Sequence, residues 1–251
     1  MKGDIMSFFN NFHLLAKPYQ GTDQKPDKHY SILPTVLKLV GDPRGKAVLD
    51  VACGSGFFSF PIAAMGATRV IGIDNSEQQL EIARCNSVAN TEFHLCDIFD
   101  GELPSADIAV IPFAANYSKD LRMLAELFAR LFRCLNQDGH AVFVMDLPGE
   151  RGGLPYKRMR SFGAVKWWAQ GPYDGAMFCN HLFDGRGKEI CSLWAYYYSP
   201  LTIQFALQDA GFRDIRWHKP VVSDEGLRTL GQEFWQGYQD NCELGYITAE
   251  K

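Results

Sequence analysis

The sequence predicts an α/β fold: a doubly wound, mostly parallel sheet of seven strands with an antiparallel C-terminal hairpin and an inserted β segment. Three observations predict it. From residue 46 onward, short apolar runs alternate with amphipathic stretches, which is the pattern of a parallel sheet flanked by helices. Between residues 148 and 198 this alternation stops, and glycine and aromatic residues become dense. Two final apolar runs near the C-terminus supply the last pair of strands.

The composition indicates one globular domain over residues 1–251 and argues against several kinds of partner. Hydrophobic residues make up 47% and charged residues 22%, which is ordinary for a protein with a packed core. The net charge of -4 gives no basic surface for a nucleic acid. Seven cysteines without a CxxC pair fit a reduced, cytoplasmic location. No apolar run reaches the roughly 20 residues of a membrane helix. The oligomeric state stays open.

Five strands and three helices are predicted in the core segment, residues 46–147. The strands occupy residues 46–51, 69–74, 92–96, 107–112 and 140–147, and the helices occupy residues 57–65, 76–84 and 118–135. Ser76 and Gln79 have the spacing of a capping box at the start of the second helix. In the third helix, apolar residues at helical spacing predict a buried face. They stand at positions 121, 124, 127, 128, 131, 132 and 135.

The rest of the chain is predicted to surround this core. It comprises an N-terminal lid and helix (1–45), a cover inserted over the functional site (148–198), and a C-terminal helix with two strands (199–251). His29 and Tyr30 are expected to close over the site as part of the lid. The expected helices are residues 31–40 and 200–211, and the expected strands are residues 173–183, 189–198, 214–222 and 244–250.

A glycine loop, Asp50-Val-Ala-Cys-Gly54-Ser-Gly56, follows the first strand and precedes a helix. Its glycines let the backbone pass close to a ligand. Asp74 and Asp97 end the next two strands. A carboxylate at Asp74 can accept hydrogen bonds from the hydroxyls of a ribose, and one at Asp97 can accept from an exocyclic amine such as that of adenine.

A nicotinamide or flavin dinucleotide is the alternative ligand for such a loop, and three features count against it. Ser59 stands where the G-x-G-x-x-G motif needs a glycine or alanine. Asp50, at the entrance of the loop, would repel a pyrophosphate but attract the ammonium of an amino acid. Asp97 has no standard role in a dinucleotide site.

These residues resemble the class I S-adenosylmethionine-dependent methyltransferases over roughly residues 46–147. The resemblance implies a Rossmann-like fold and S-adenosylmethionine as the cofactor. Methyl transfer from a sulfonium requires no metal. Each matched residue also receives an implied role. The methionine part is bound by Asp50, Ala52, Gly54 and Gly56. The ribose is bound by Asp74 and Asn75, and the adenine by Asp97 and the backbone of Ile98. Pro112 and Phe113 line the methyl-donor pocket.

A narrower similarity is to small-molecule methyltransferases of the toxoflavin-synthase type. It rests on Phe12-His-Leu-Leu-Ala16-Lys-Pro-Tyr19 and on Gly231-Gln-Glu-Phe-Trp235. Phe12 replaces the first tyrosine of the N-terminal pattern, which removes a hydroxyl there. Tyr19 fits the second tyrosine, and the similarity implies that it contacts the cofactor.

The predicted function is methyl transfer from S-adenosylmethionine to nitrogen or oxygen of a small acceptor, such as an aromatic or heterocyclic metabolite. In-line displacement needs alignment and exclusion of water, and it needs a general base only for some acceptors. Asp146, near the end of strand five, is the candidate base. Tyr117, after strand four, is a candidate contact to cofactor and acceptor. Rings of the insertion, including Trp167 and Trp194, are candidates for the wall of the acceptor pocket.

Two other functions stay open: methyl transfer to a protein or an RNA, and a scaffold that binds the cofactor without catalysis. The stretch Ile111-Pro-Phe-Ala114 differs from the [DN]-P-P-[YF] pattern that holds the amine of a nucleic-acid base. The presence of both loop glycines and all three acids argues against an inactive scaffold.

Overall fold

The computed structural model describes residue 19 and residues 21–149, 156–168 and 170–251; Phe12, Ala16 and most of the predicted lid lie outside these ranges. Within them, ten strands form two sheets. One sheet has seven strands in the order β3-β2-β1-β4-β5-β10-β9, and the other has three in the order β6-β7-β8. The strands are β1 (Ala47–Val51), β2 (Arg69–Asp74), β3 (Thr91–Leu95), β4 (Ala106–Pro112), β5 (Leu135–Asp146), β6 (Ala164–Trp168), β7 (Met177–Phe183), β8 (Glu189–Tyr196), β9 (Arg213–His218) and β10 (Leu244–Glu250).

Eight α-helices accompany the two sheets in the described part of the chain. They are α1 (Leu33–Val40), α2 (Ser59–Ala64), α3 (Glu77–Cys85), α4 (Leu121–Cys134), α5 (Tyr156–Ser161), α6 (Pro200–Asp209), α7 (Asp224–Leu230) and α8 (Gln232–Asp240). Shorter turns of 3₁₀-helix occupy Gly21–Gln24 and Ala114–Tyr117, and a π-helical turn, Lys28–Ile32, leads into α1. No helix within the described ranges has the length and apolar character that a bilayer crossing needs.

The seven-stranded sheet confirms the predicted fold class. Strands β1 to β5 pair in parallel, and β10 pairs antiparallel with both β5 and β9. The carboxyl ends of parallel strands meet at one edge of a sheet. The loops that follow β1, β2, β3, β4 and β5 therefore lie at the same edge, and this edge carries the predicted cofactor residues.

The core lies on both faces of this sheet because successive side chains of a strand point to opposite faces. In β1, Val48 packs on the face covered by α1 and α2, whereas Leu49 packs on the face covered by α4 and α6. Both side chains are fully buried. Such two-sided burial explains why the core strands have continuous apolar runs rather than an alternation of apolar and polar residues.

Helix α4 begins three residues later than predicted. Asp120 caps it, since its Oδ1 accepts a hydrogen bond from the backbone N–H of Met123 at 2.8 Å. The predicted core positions Leu124 and Phe128 are fully buried, but Leu121 is 52% exposed. A helical side chain covers the turn on the N-terminal side of its own Cα. Leu121, in the first helical position, projects past the helix end, and the prediction that it is a core residue was wrong.

The capping box predicted at the start of α3 does not form. Ser76 is the N-cap residue, but its side chain makes no capping hydrogen bond. Instead, the backbone N–H of Ser76 donates to Oδ1 of Asp74 at 2.8 Å. The helix starts where the sequence predicts it, with an acid from the preceding strand as the stabilising group.

The insertion and the C-terminal region contain elements that the sequence pattern did not reveal. Strand β6 adds a third strand to the two predicted in the insertion, and α5 precedes it. Between β9 and β10 the chain forms α7 and α8. Ser223 caps α7 through its side chain, and Gly231, at φ 79°, separates the two helices. Trp235 is 1% exposed and donates from its indole N–H to the carbonyl of Gly226, which ties α8 to α7.

Candidate active site

The glycine loop after β1 forms a tight turn at the carboxyl edge of the sheet. Ala52, Gly54 and Gly56 have φ values of 57°, 54° and 89°. Backbone in this left-handed region favours glycine, which has no Cβ to hinder the close approach of another group. This geometry suits close contact between backbone and ligand at Gly54 and Gly56.

Asp74 ties the glycine loop to the end of β2. Its Oδ2 accepts a hydrogen bond from the backbone N–H of Gly54 at 2.9 Å, and the side chain is 9% exposed. Asn75 follows it and is exposed. Oδ1 of Asp74 accepts a second hydrogen bond from the backbone N–H of Ser76, so both carboxylate oxygens are oriented by the backbone. The ribose role of Asp74 and Asn75 stays a prediction.

Asp50 lies beneath the loop rather than at an open entrance. Its carboxyl group is fully buried, and the hydroxyl of Ser59 donates to Oδ2 at 2.5 Å. Burial raises the pKa of Asp50 from 3.8 to about 7, because the charged form loses its hydration. Asp50 was predicted to stand at the entrance of the loop, and the structure shows that its carboxyl group there is buried. A contact between Asp50 and an ammonium group stays a prediction.

Asp97 lies beyond the end of β3, next to the end of β2. Register places Asp74 of β2 opposite Leu95 of β3, two residues before Asp97. Asp97 is exposed and accepts a hydrogen bond at Oδ1 from the backbone N–H of Phe99, at 2.9 Å. Ile98 is 8% exposed. The structure thus brings the two acids to neighbouring strand ends, as the predicted ribose and adenine contacts require.

The end of β4 places an unusual backbone conformation at the centre of the site. Pro112 ends the strand and is buried. Phe113 has a φ of 64°, and its backbone N–H donates to the carbonyl of Val144 at 2.7 Å. A non-glycine residue in this region is uncommon and is found most often where function constrains the chain. The predicted role of both residues in the donor pocket stays a prediction.

A cavity of about 70 Å³, here called the central cavity, lies between the sheet edge and the insertion. This volume is several times the roughly 10–15 Å³ that one water molecule needs. Phe113 and Tyr117 border the cavity from the sheet edge, and Tyr19 borders it from the N-terminal segment. The three-stranded sheet β6-β7-β8, here called the cover sheet, lines the opposite side. Phe162, an aromatic residue of the insertion, lines the cavity, whereas Trp167 and Trp194 are not among the described residues that line it.

Tyr117 and Tyr19 are buried phenols of the cavity wall. Burial raises the pKa of Tyr117 and that of Tyr19 well above 10, and nearby acids add to the effect. Both hydroxyls are therefore protonated at neutral pH. They do not act as bases in this pH range.

Asp146, the candidate base, takes part in a buried ion pair. Nζ of Lys166 lies 2.9 Å from Oδ1 of Asp146, and the two side chains are 3% and 8% exposed. Lys166 also donates to the carbonyl of Glu243 at 2.6 Å. Burial alone would lower the pKa of Lys166, but the carboxylates of Asp146 and Glu243 outweigh it and raise that pKa. The structure places Asp146 at the cavity with its carboxylate engaged, and its role as a base stays a prediction.

Asn116 joins the sheet edge to the cover sheet. Its Oδ1 accepts from the backbone N–H of Asp146 at 2.8 Å, and its Nδ2 donates to the carbonyls of Asp146 and Tyr196 at 3.1 and 3.0 Å. These bonds fix the end of β5 against β8. Together with the Lys166–Asp146 ion pair, they hold the cover sheet over the cavity.

Lys28 is a site residue that sequence reasoning missed. Its Nζ lies 2.6 Å from Oδ1 of Asp23 and 4.3 Å from the centre of the Phe57 ring, directly after the glycine loop. Burial lowers the pKa of Lys28. The residues predicted to face the site from this segment were His29, which is exposed, and Tyr30, which packs edge-on against Trp235. The helical turn points Lys28 inward and His29 outward. Neither His29 nor Tyr30 is among the described residues that line the central cavity, and their lid role stays a prediction.

Replacement of Gly56 tests the backbone geometry of the loop. In Gly56→Ala, a Cβ would lie 2.6 Å from the Phe60 ring at a φ of 89°. Backbone strain should lower the free energy of unfolding by about 1–3 kcal/mol, and the shifted ring should distort the loop. We expect weaker binding of S-adenosylhomocysteine in calorimetry. Gly45→Ala is the matched control, with a φ of 76° and no atom within 4 Å of the added Cβ. Equal affinities in both variants would contradict the prediction.

Comparisons with known proteins agree with this geometry. A family model described as "Methyltransferase domain" matches residues 48–139. A ubiquinone biosynthesis O-methyltransferase of Neisseria meningitidis serogroup C (strain 053442) is 43% identical over 74 residues, which are 27% of this chain and 31% of that protein. The 23S rRNA (uracil(1939)-C(5))-methyltransferase RlmD of Azoarcus sp. (strain BH72) is 39% identical over 74 residues, which are 28% of this chain and 17% of that protein. The chain thus spans less than a third of the length of either relative.

A solved structure shows the same fold over nearly the whole chain. The S-adenosylmethionine-dependent methyltransferase of Mesorhizobium loti superposes with a TM-score of 0.62 at 20% identity, covering 92% of this chain and 100% of that one. At this level of identity the likeness concerns the fold alone. Because it covers 92% of this chain, it extends beyond the matched core segment.

Proposed function

Because the chain belongs to the class I S-adenosylmethionine-dependent methyltransferases, we propose that it transfers the methyl group of S-adenosylmethionine to a small-molecule acceptor in the central cavity. The observation that carries this proposal is the position of the cavity. It adjoins the end of β4 at Phe113 and Tyr117, and the cover sheet closes it on the opposite side. An enclosed space at the ends of β4 and β5 suits an acceptor that the protein can surround.

The residues at the sheet edge fit the parts of the proposed cofactor. Gly54 and Gly56 provide left-handed backbone for the methionine part. Asp74 stands at the adjoining strand end for the ribose, and the exposed Asp97 stands at the next one for the adenine amine. When bound, the cofactor supplies a methyl group on a positively charged sulfur, which a lone pair of the acceptor displaces in line.

The chain itself contributes alignment and exclusion of water rather than a free base. Tyr19 and Tyr117 are protonated at neutral pH, and Lys166 engages the carboxylate of Asp146. Histidine is absent from the described residues that line the cavity. An acceptor whose reacting atom is nucleophilic without first losing a proton, such as an unprotonated ring nitrogen, therefore fits this site better than an alcohol.

An RNA acceptor is the second candidate, and the similarity to an rRNA methyltransferase favours it. That similarity also means that the net charge of -4 does not exclude a nucleic-acid partner. The two candidates enter the cavity differently. A small molecule enters whole, whereas an RNA base would have to leave the stack of bases in the RNA and enter while attached to its backbone. Transfer of a labelled methyl group from S-adenosylmethionine to a metabolite pool or to bulk RNA separates them.

Calorimetry with two ligands tests the cofactor. We expect S-adenosylhomocysteine to bind with micromolar affinity and NADH to give no heat of binding. Binding of NADH without binding of S-adenosylhomocysteine would overturn the proposed function and favour a dinucleotide-dependent enzyme.

Asp74→Ala tests the ribose assignment. The substitution removes the proposed acceptor of the ribose hydroxyls and the oxygen that holds the Gly54 amide. We expect affinity for S-adenosylhomocysteine to fall by about tenfold or more. Asp100→Ala, which removes an exposed acid in the loop after β3, is the control and should bind normally. Near-wild-type affinity of a folded Asp74→Ala protein, with folding checked by circular dichroism, would refute the assignment.

A further inference from the structure

One face of the cover sheet forms a wall of the central cavity, and its residues follow the alternation of the strands. Register places Lys166 of β6 beside Asn180 of β7, and Asn180 beside Leu193 of β8. This inner face consists of Ala164, Lys166, Asn180, Leu182, Leu193 and Ala195. Only two of the six are polar, and the Lys166 ammonium is already bound to Asp146 and to the carbonyl of Glu243.

Asn180 has a buried hydrogen-bond acceptor without a partner among the described residues. Its side chain is buried, with 8% of the residue exposed. The amide Nδ2 lies 3.5 Å from each carboxylate oxygen of Asp146, whereas Oδ1 has no hydrogen-bond partner. The carboxylate fixes which end of the amide is which, since only the NH₂ end is attracted to it. A buried carbonyl left unpaired costs about 1–3 kcal/mol, so such groups often mark a place for a ligand.

The charges around the cavity balance one another. Three lysines and three acids line it: Lys25, Lys28, Lys166, Asp27, Asp146 and Glu243. Each lysine has a carboxylate partner, at 3.4 Å for Lys25–Asp27, 2.6 Å for Lys28–Asp23 and 2.9 Å for Lys166–Asp146. An anionic ligand would therefore have to displace one of these carboxylates from its lysine, at a high cost in desolvation. The rest of the wall is largely apolar.

We propose that the central cavity takes an uncharged acceptor that carries an N–H or O–H group, and that Oδ1 of Asn180 accepts a hydrogen bond from this group. Asn180 thereby orients the acceptor and determines which of its atoms faces the end of β4. This inference rests on the proposed function and adds the chemical class of the acceptor and the residue that selects it. A site with a buried hydrogen-bond acceptor discriminates strongly against a ligand that lacks the matching N–H or O–H donor.

The test measures binding of matched compounds to the protein saturated with S-adenosylhomocysteine. Each set contains an uncharged heteroaromatic compound with one N–H or O–H, its N- or O-methyl counterpart and its carboxylate derivative; benzimidazole, 1-methylbenzimidazole and benzimidazole-5-carboxylate are one such set. Dissociation constants come from ligand-observed NMR titrations. We expect the uncharged donor compounds to bind at least tenfold more tightly than both of their counterparts.

Two variants assign this preference to Asn180. Asn180→Leu has nearly the same size without the acceptor oxygen and should lose the preference for the donor compounds over their methylated counterparts. Asn180→Gln keeps the uncharged amide with its acceptor oxygen and should retain that preference. His181→Leu is the matched control, because it alters the next residue of β7, which does not line the cavity. Affinity for S-adenosylhomocysteine and the midpoint of thermal unfolding show that each variant is folded.

The outcomes are distinguishable. Equal binding of donor compounds and methylated counterparts by the wild type, a preference for carboxylates, an unchanged preference in Asn180→Leu, or no binding across the panel would overturn the inference while leaving the proposed function intact. If Asn180→Leu does not fold, loss of the preference can be sought in Asn180→Ala, which also lacks the acceptor oxygen, and its retention there would overturn the inference. Failure of the wild type to bind S-adenosylhomocysteine would reject the proposed function itself.

Discussion

Lys166→Met should lower the free energy of unfolding by about 3–5 kcal/mol, because it leaves the buried carboxylate of Asp146 without its cation. The nearest remaining donor, Nδ2 of Asn180, is 3.5 Å from both carboxylate oxygens and is a poor replacement. Since Lys166 lies on β6 and Asp146 ends β5, the same change should loosen the cover sheet over the cavity. Urea denaturation at pH 7, followed by circular dichroism, measures the effect.

Two further variants separate the ion pair from the packing of the lysine stem. Lys166→Met combined with Asp146→Asn removes both charges and should recover most of the lost stability, since the cost comes from the unpaired charge. Arg44→Met breaks the exposed pair with Asp42, whose side chains are 76% and 59% exposed, and should leave stability nearly unchanged, because water screens the pair. A double variant less stable than Lys166→Met alone would contradict this account.

The core of the fold was predictable because its signals are local. The bounds of β2 and of β10 agree with the prediction residue for residue, since each is an apolar run that ends at a polar or charged residue. The glycine loop was predictable for the same reason, as left-handed backbone at Gly54 and Gly56 requires glycine at those positions. The closeness of Asp74 and Asp97 followed from the rule that parallel strands end at one edge.

The acceptor side was not predictable, because its contacts join segments that are distant in sequence. Lys166 lies on a five-residue strand, too short to show a period, and its partner Asp146 belongs to the other sheet. The inward orientation of Lys28 depends on a π-helical turn whose sequence looks like the start of an ordinary helix. Asn180 stands on a strand that was predicted, but nothing in the sequence distinguishes it from a structural asparagine. Its unpaired oxygen becomes visible only when all its neighbours are known.

Asp50 is the second residue whose substitution should have a large effect on stability. Its contribution to the free energy of unfolding decreases as the pH rises, which is opposite to the behaviour of most carboxyl groups. Burial raises its pKa from 3.8 to about 7, although the hydrogen bond from Ser59 partly opposes the shift. The folded protein therefore keeps a proton that the unfolded chain releases near pH 4. The stability that Asp50 contributes is complete below that pH, decreases as the pH rises, and is lost above pH 7. A shift of about three units corresponds to about 4 kcal/mol at 1.36 kcal/mol per unit.

The prediction is a pH-dependent difference between the wild type and Asp50→Asn, since asparagine does not titrate. Between pH 4 and pH 8 this difference in free energy of unfolding should move by about 4 kcal/mol in favour of the variant. Urea denaturation at several pH values measures it, and comparison of the two proteins cancels the titration of all other groups. Asp107→Asn is the control. Hydrogen bonds from Asn136 and Ala47 lower the pKa of Asp107, so the stability that Asp107 contributes is lost as the pH falls, and this loss occurs below pH 4. A constant difference for Asp50→Asn would mean that Asp50 is ionised beneath the loop, with the loop amides or Lys28 compensating for its lost hydration.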